Sequence, residues 1–211
     1  MARHTRAGAE GEPPLSRLRS PTATEAEPAP GQPSGWHLVP PSTTDAASIA
    51  AWSTSDQEAA AWVSLRTHPF SAEAVTGWWQ RADVQPWLLV DPTGTPVAYG
   101  ELWDDEPEDE VELARLIVDP DHRRRGTGRR LVDQLLALAG RSGRAACFVR
   151  VVPDNHAALR LYRAAGFRDV DPDLAKEWNL PQPIEYAWLE HPDLPGRAGD
   201  EPRRGRAPVD H

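Results

Sequence analysis

One segment near the middle of the chain limits its fold more than any other: Val118-Asp119-Pro120-Asp121-His122-Arg123-Arg124-Arg125-Gly126-Thr127-Gly128. Before it, Val111 to Val118 reads as a strand, and Asp119-Pro120 ends it, because proline has no N–H for a ladder. After it, Leu131, Leu135 and Leu138 recur at i, i+4 and i+7, flanked by Val132 and Leu136. That is the spacing of an amphipathic helix, and Gly140 and Gly143 mark its end. A helix N-terminus presents unpaired N–H groups and a positive dipole end, glycines allow close backbone approach, and three arginines add charge. The combination suits a phosphate or pyrophosphate group. It lacks the Gly-Lys-Ser/Thr of a P-loop and the full dinucleotide fingerprint. Taken alone, it also fits an ordinary strand-to-helix turn with solvated arginines.

The flanking sequence extends the alternation. Trp36 to Val39 is a short strand, and Ser42 to Asp45 offers N-caps for an Ala-rich helix over about 45–53. Ser55 and Asp56 open a second helix through Trp62 and Leu65, and Ser71 opens a third through Trp78 and Trp79. Trp87–Val90 and Val97–Trp103 surround the turn Asp91-Pro92-Thr93-Gly94, the pattern of an antiparallel hairpin. Ala145 to Val152 reads as a buried strand that carries one charge, Arg150. Asn155 begins a helix that Gly166 stops, and residues 167–171 and 184–190 are further strands. Helices interspersed with one mixed sheet predict an α/β or α+β sandwich.

Composition sets the limits of that domain. The chain has 211 residues, 22 of them proline, and 39% are hydrophobic. Residues 1–35 and 191–211 are rich in Pro, Ala, Glu, Gly and Arg and show no apolar face, so both are expected to be disordered tails. The globular domain is expected over residues 36–190, which hold all nine tryptophans. Lys and Arg total 23 against 32 Asp and Glu, a net charge of −9. That balance disfavours a general nucleic-acid or anionic-membrane binder, although Arg123–Arg125 with Arg129 and Arg130 make a local basic cluster. No apolar run reaches the roughly 20 residues of a membrane helix, and the N-terminus has no apolar signal core. The single cysteine, Cys147, excludes an internal disulfide and a cysteine-rich zinc site. No histidine spacing reads as a metal site. A cytoplasmic protein without a metal, monomeric or homodimeric, is the expectation.

Two motifs then resemble the GNAT superfamily of acetyl-CoA-dependent N-acetyltransferases. Glu112-Leu113-Ala114-Arg115-Leu116-Ile117-Val118-Asp119-Pro120 followed by Arg123-Arg124-Arg125-Gly126-Thr127-Gly128 is similar to that family's fourth strand and its Arg/Gln-x-x-Gly-x-Gly/Ala loop. Asn155-His156-Ala157-Ala158-Leu159-Arg160-Leu161-Tyr162-Arg163-Ala164-Ala165-Gly166-Phe167 is similar to its Asn-x-x-Ala-x-x-Leu/Phe-Tyr-x-x-x-Gly-Phe helix. The match is close over residues 111–167, loose over 36–110 and absent in the tails. The resemblance implies a mixed, mostly antiparallel sheet of about six to seven strands flanked by helices. Its fourth and fifth strands, about 111–118 and 145–152, are implied to splay apart around acetyl-CoA.

By the same resemblance, Leu116, Ile117 and Val118 would pair with the pantetheine arm. Arg123, Arg124, Arg125, Gly126, Thr127, Gly128 and Arg129 would hold the pyrophosphate. Asn155 and Ala158 would border the pantetheine, and Tyr162 would protonate the departing thiolate. Attack by an amine on a thioester also needs a base and a donor for the carbonyl oxygen, such as the N–H of Val118. Glu112 is the base candidate, on the assumption that strand alternation puts it on the face of Ala114, Leu116 and Val118. Glu110 is the reserve, and water is a third possibility. Seven of the nine residues from Asp104 to Glu112 are acidic, which suits either a solvated hairpin tip or attraction of a cationic acceptor. The expected function is acetyl transfer to an amine acceptor, a small molecule or a protein amine. The alternatives are a non-catalytic acyl-CoA-binding domain and a basic-loop nucleic-acid binder.

Overall fold

The computed structural model describes residues 35–63 and 68–194. Seven strands form one sheet: β1 (His37–Val39), β2 (Val84–Val90), β3 (Pro96–Asp105), β4 (Glu110–Val118), β5 (Ala146–Val151), β6 (Arg168–Asp169) and β7 (Ala187–His191). Their spatial order is β1-β2-β3-β4-β5-β7-β6. Every neighbouring pair is antiparallel except β4 and β5, which run parallel. The helices are α1 (Ala46–Ala51), α2 (Asp56–Val63), α3 (Ala72–Trp78), α4 (Thr127–Arg141), α5 (His156–Ala164) and α6 (Pro172–Asn179). The mixed sheet and its flanking helices match the expected fold class.

The pleat divides the core in two. Leu131, Val132, Leu135, Leu136 and Ala139 of α4 bury against Val97, Leu102, Leu113 and Val149 of the sheet, joined by Leu159 and Tyr162 of α5. Leu88, Tyr99 and Ile117 point to the other face and meet α1 and α3 through Ile49, Trp52 and Val75. A smaller cluster closes the far edge, where Phe148 and Val170 meet Leu174, Trp178 and Trp188. Helix α6 was not among the expected elements. Its start signal is in the sequence: Asp171 caps the backbone N–H groups of Asp173 and Leu174, with Pro172 at the first helical position.

The outer limits differ in detail. Leu65, expected in the second helix, lies outside the described residues, as do nearly all of the expected tails. At the C-terminal side, β7 runs to His191 and Leu194 is buried in the main core, so the folded part passes the expected limit at Glu190.

A bulge in β4 shapes the centre of the sheet. Ala114 pairs with Glu101 and Ile117 with Tyr99, so β4 uses one more residue than β3 over that interval. Arg115 takes a left-handed conformation there, with φ 49°. Glu112, Ala114 and Ile117 therefore share a face with Trp103, Glu101 and Tyr99, while Leu113, Leu116 and Val118 turn toward α4. The expected alternation of Glu112 with Leu116 and Val118 is thus corrected: the extra residue reverses the parity between them.

The bulge rests on a buried charge. Glu101 is fully buried, and Arg115 Nη1 donates to its Oε2 at 2.8 Å. Trp103 Nε1 donates to the same oxygen at 2.6 Å, and the Tyr99 hydroxyl donates to Oε1. The Arg115 guanidinium also lies over the rings of Trp78 and Trp103, at 4.5 and 4.9 Å. Trp62 Nε1 donates to the Arg115 carbonyl at 2.7 Å. Replacing Arg115 by alanine leaves the Glu101 carboxylate buried without its cation, and the expected loss of unfolding free energy in urea is roughly 3–5 kcal/mol. A loss below about 1 kcal/mol, the scale of an exposed ion pair, would contradict this account.

Candidate active site

The parallel pairing of β4 and β5 covers only Glu110–Ala146, Val111–Cys147 and Glu112–Phe148. Beyond Glu112 the two strands diverge, while β5 stays paired with β7 as far as Val151. The gap forms a cavity of about 300 Å³. One side is Leu113 to Leu116 of β4 and the other is Val149 to Val152. Trp62, Trp103, Gln182 and Tyr186 border it, and α5 contributes Ala158 and Tyr162, with Asn155 just before it. The splayed strands expected from the sequence are present.

Glu112 is the last paired residue, at the closed end of the fork. Its Oε1 lies 2.9 Å from Arg150 Nε. Burial raises the Glu112 pKa above the ordinary glutamate value, and the nearby charges of Arg150 and Arg115 oppose that rise. Tyr162 is buried in the wall of the same cavity, against the edge of Phe167. Burial, and then the neighbouring Glu112 charge, push its hydroxyl pKa up, so the phenol keeps its proton. Asn155 caps α5: its Oδ1 accepts from the Ala158 N–H at 3.1 Å. Glu110, the reserve base, sits where β4 and β5 are still paired and is not part of the cavity wall.

The basic loop divides into braces and exposed groups. Arg123 turns inward: Nε donates to the Val118 carbonyl at 3.0 Å, Nη2 to the Trp52 carbonyl at 2.7 Å, and Nη1 to Glu58 Oε1 at 2.6 Å. Thr127 is buried and donates to the His122 carbonyl at 2.8 Å. Arg129 binds Asp133 at 2.7 Å and the Ala164 carbonyl. Arg130 stacks over Trp36. Arg124 and Arg125 are exposed. Arg124 and Gly126 both take positive φ, 59° and 80°, a geometry that lets successive N–H groups converge. Gly126 is the N-cap of α4 and supplies no side-chain cap, so the first N–H groups of the helix have no acceptor from that position. A Cβ on Gly128 would come within 3.3 Å of Leu161 and 3.6 Å of Val118. Glycine there lets α4 approach α5 and the end of β4.

Of the strand residues, Leu116 borders the cavity, whereas Ile117 packs under α1 and α3 and Val118 packs toward α4. Sequence reasoning missed the two guanidiniums in the cavity wall, Arg115 and Arg150. The signal was present for Arg150, because a charge within a buried strand requires a partner. Asp104, the first residue of the acidic run, is structural: it holds Arg144 in two hydrogen bonds, at 2.6 and 2.9 Å.

The acetyltransferase (GNAT) family model matches residues 47–167. The chain belongs to this family. Among curated proteins, the GNAT chain is 32% identical over 125 residues to mycothiol acetyltransferase of Geodermatophilus obscurus, covering 51% of this chain and 40% of that protein. It is 38% identical over 61 residues to the ribosomal protein bS18-alanine N-acetyltransferase of Escherichia coli, covering 29% of this chain and 41% of that protein. The matches thus span about two fifths of these relatives' length. Among solved structures, spermidine N-acetyltransferase from Vibrio cholerae in complex with CoA and spermine superposes with a TM-score of 0.59 at 15% identity, over 75% of this chain and 94% of that one. The GNAT domain of S. lividans PAT gives 0.57 at 19% identity, over 72% and 88%. Both share the fold. Among the described residues, no helix is long and apolar enough to cross a membrane, and no group of three or more His, Cys, Asp or Glu side chains could hold a metal ion.

The raised Glu112 pKa has a thermodynamic sign. The folded protein holds this proton at pH values where the unfolded chain has released it, so stability from this group falls as pH rises from the ordinary glutamate value of 4.5 through the folded value. Chemical denaturation across that range is expected to show wild type losing stability relative to Glu112→Gln as pH increases. Parallel curves for the two proteins would contradict the shift.

Proposed function

We propose that this domain transfers the acetyl group of acetyl-CoA to a primary amine by direct attack in a ternary complex. The observation that carries this reading is the single cavity in which a carboxylate, a proton-bearing phenol and the unpaired edge of β4 meet. Residues 113–116 have no strand partner on the β5 side, so backbone groups there, apart from the Arg115 carbonyl that Trp62 engages, can pair with an extended amide-bearing arm. The uncapped start of α4, with Arg124 and Gly126 in left-handed geometry and exposed Arg124 and Arg125, fits a pyrophosphate. Arg123, Thr127 and Arg129 act there by bracing the loop. Asn155 and Ala158 border the arm.

In the chemical step, the amine nitrogen attacks the thioester carbonyl carbon, a C–N bond forms and the C–S bond breaks. Glu112 accepts the proton that the ammonium form must lose, directly or through water, and its raised pKa improves it as a base. Tyr162 gives its proton to the departing thiolate and takes back the one that the acylated nitrogen sheds as the amide forms, while Glu112 returns its proton to solvent.

Calorimetric titration of acetyl-CoA into the full chain tests the donor site. Wild type is expected to bind saturably, and Arg125→Ala/Gly128→Glu is expected to lose binding. With an amine acceptor, Tyr162→Phe and Glu112→Gln are each expected to lower kcat by about 10²-fold or more. No acetyl-CoA binding by folded wild type would overturn the reading. Binding without acetylation of any amine in a broad panel would leave an acyl-CoA-binding domain.

A further inference from the structure

Arg150 does more than balance Glu112. Its guanidinium lies within 5.4–5.6 Å of the ring centres of Trp103, Tyr186 and Trp188, which hold its plane in place. Nε is engaged by Glu112, and Nη1 donates to Gln182 Oε1 at 3.1 Å. A guanidinium has five N–H donors in a fixed fork, so Nη2 and the second hydrogen of Nη1 remain for a ligand in the cavity. Arg115 is a second guanidinium in the same wall, and its carboxylate partner, Glu101, is fully buried behind it. The charged side chains that line the cavity are Arg115, Arg150 and Glu112; Glu101 neutralises Arg115 from behind, and Glu112 engages Arg150 at Nε. The open Nη edge of Arg150 is the cationic donor surface that remains in the cavity, and it favours an acceptor that carries an anionic group.

Resting on the acetyl-transfer reading, we propose that the acceptor is an amine with a carboxylate one or two carbons from its nitrogen, and that Arg150 binds this carboxylate. Glu112 and Arg150 are one ion-pair contact apart, at 2.9 Å. Only a ligand whose amine and carboxylate are close together touches both, the amine at Glu112 and the carboxylate at the free Nη edge. Bidentate recognition of a carboxylate is the geometry the arginine fork favours. The aromatic rings of Trp62, Trp103 and Tyr186 leave room beside it for an apolar side group. Arg150 acts in this scheme as a specificity residue and leaves bond-making to Glu112 and Tyr162.

The test uses the full chain, acetyl-CoA, and a panel of free L-amino acids paired with their α-amides and with the corresponding decarboxylated amines. Wild type is expected to favour the free acid by at least about tenfold in kcat/KM, the scale of a hydrogen bond to a charged group, mainly through KM. Arg150→Gln is expected to bring the acid-to-amide ratio close to one, and Arg150→Lys to restore part of it. A thermal melt confirms that each variant is folded, and the lysine form keeps the test open if the glutamine form is not. Amides used as well as acids by wild type would overturn the inference, as would an equal loss on acids and amides in Arg150→Gln. Acetyl-CoA binding with no amino acid acetylated in preference to its amide would overturn it while leaving the donor site intact. No acetyl-CoA binding would overturn the acetyl-transfer reading itself.

Discussion

The cleft depends on where hydrogen bonding between β4 and β5 stops. Parallel strands that remained paired would bury both edges and leave no space for a ligand arm. Here three register pairs hold the strands together and then the backbone of β4 is left unpaired on one side. An unpaired buried edge is expensive, and the surroundings must keep the strands from closing. On the β5 side, the ladder with β7 keeps β5 in its own register as far as Val151. On the β4 side, the bulge at Arg115 rotates the strand, and the buried Glu101 carboxylate holds that arginine down.

A charge without solvent is a poor source of stability, since its desolvation offsets much of the attraction. Its value here is geometric. Glu101 accepts from Arg115, Trp103 and Tyr99, and Tyr99 accepts from Trp79, so one carboxylate orients side chains from β3, β4 and the end of α3. Of these rings, Trp103 faces both Arg115 and Arg150, so one aromatic plane in the cavity wall joins the two guanidiniums. Such a surface discriminates by charge and shape together.

The sequence was most readable where periodicity and punctuation agreed. Leu131, Leu135 and Leu138 marked α4, Asp91 to Gly94 marked the β2–β3 turn, and the two motifs located the strands that splay. It was less readable where tertiary contact decides. Strand alternation misassigned the faces of Leu116 and Val118 because a bulge has no fixed sequence signature and inverts every position after it. The arginines of the loop looked alike in sequence, yet Arg123 points into the protein and Arg124 and Arg125 point out, a difference set by Glu58, which lies far away in the chain. Helix α6 was readable from Asp171-Pro172, but its apolar residues are few and its partner cluster comes from β5 and β7.

Arg123 has a broader consequence. One side chain grips the end of β4 through the Val118 carbonyl, the end of α1 through the Trp52 carbonyl, and α2 through Glu58. Glu58 is partly buried, and hydrogen bonds from Arg123 and Thr54 still hold its carboxyl below the usual range. Trp62, at the far end of the same helix, stands in the wall of the cleft. The basic loop and the helix that carries Trp62 are therefore joined through a single guanidinium. By thermodynamic linkage, whatever free energy an occupant of the loop transmits through that joint, an occupant of the wall returns in equal measure. Any such coupling is equal in both directions as a binding free energy and sets no order of arrival.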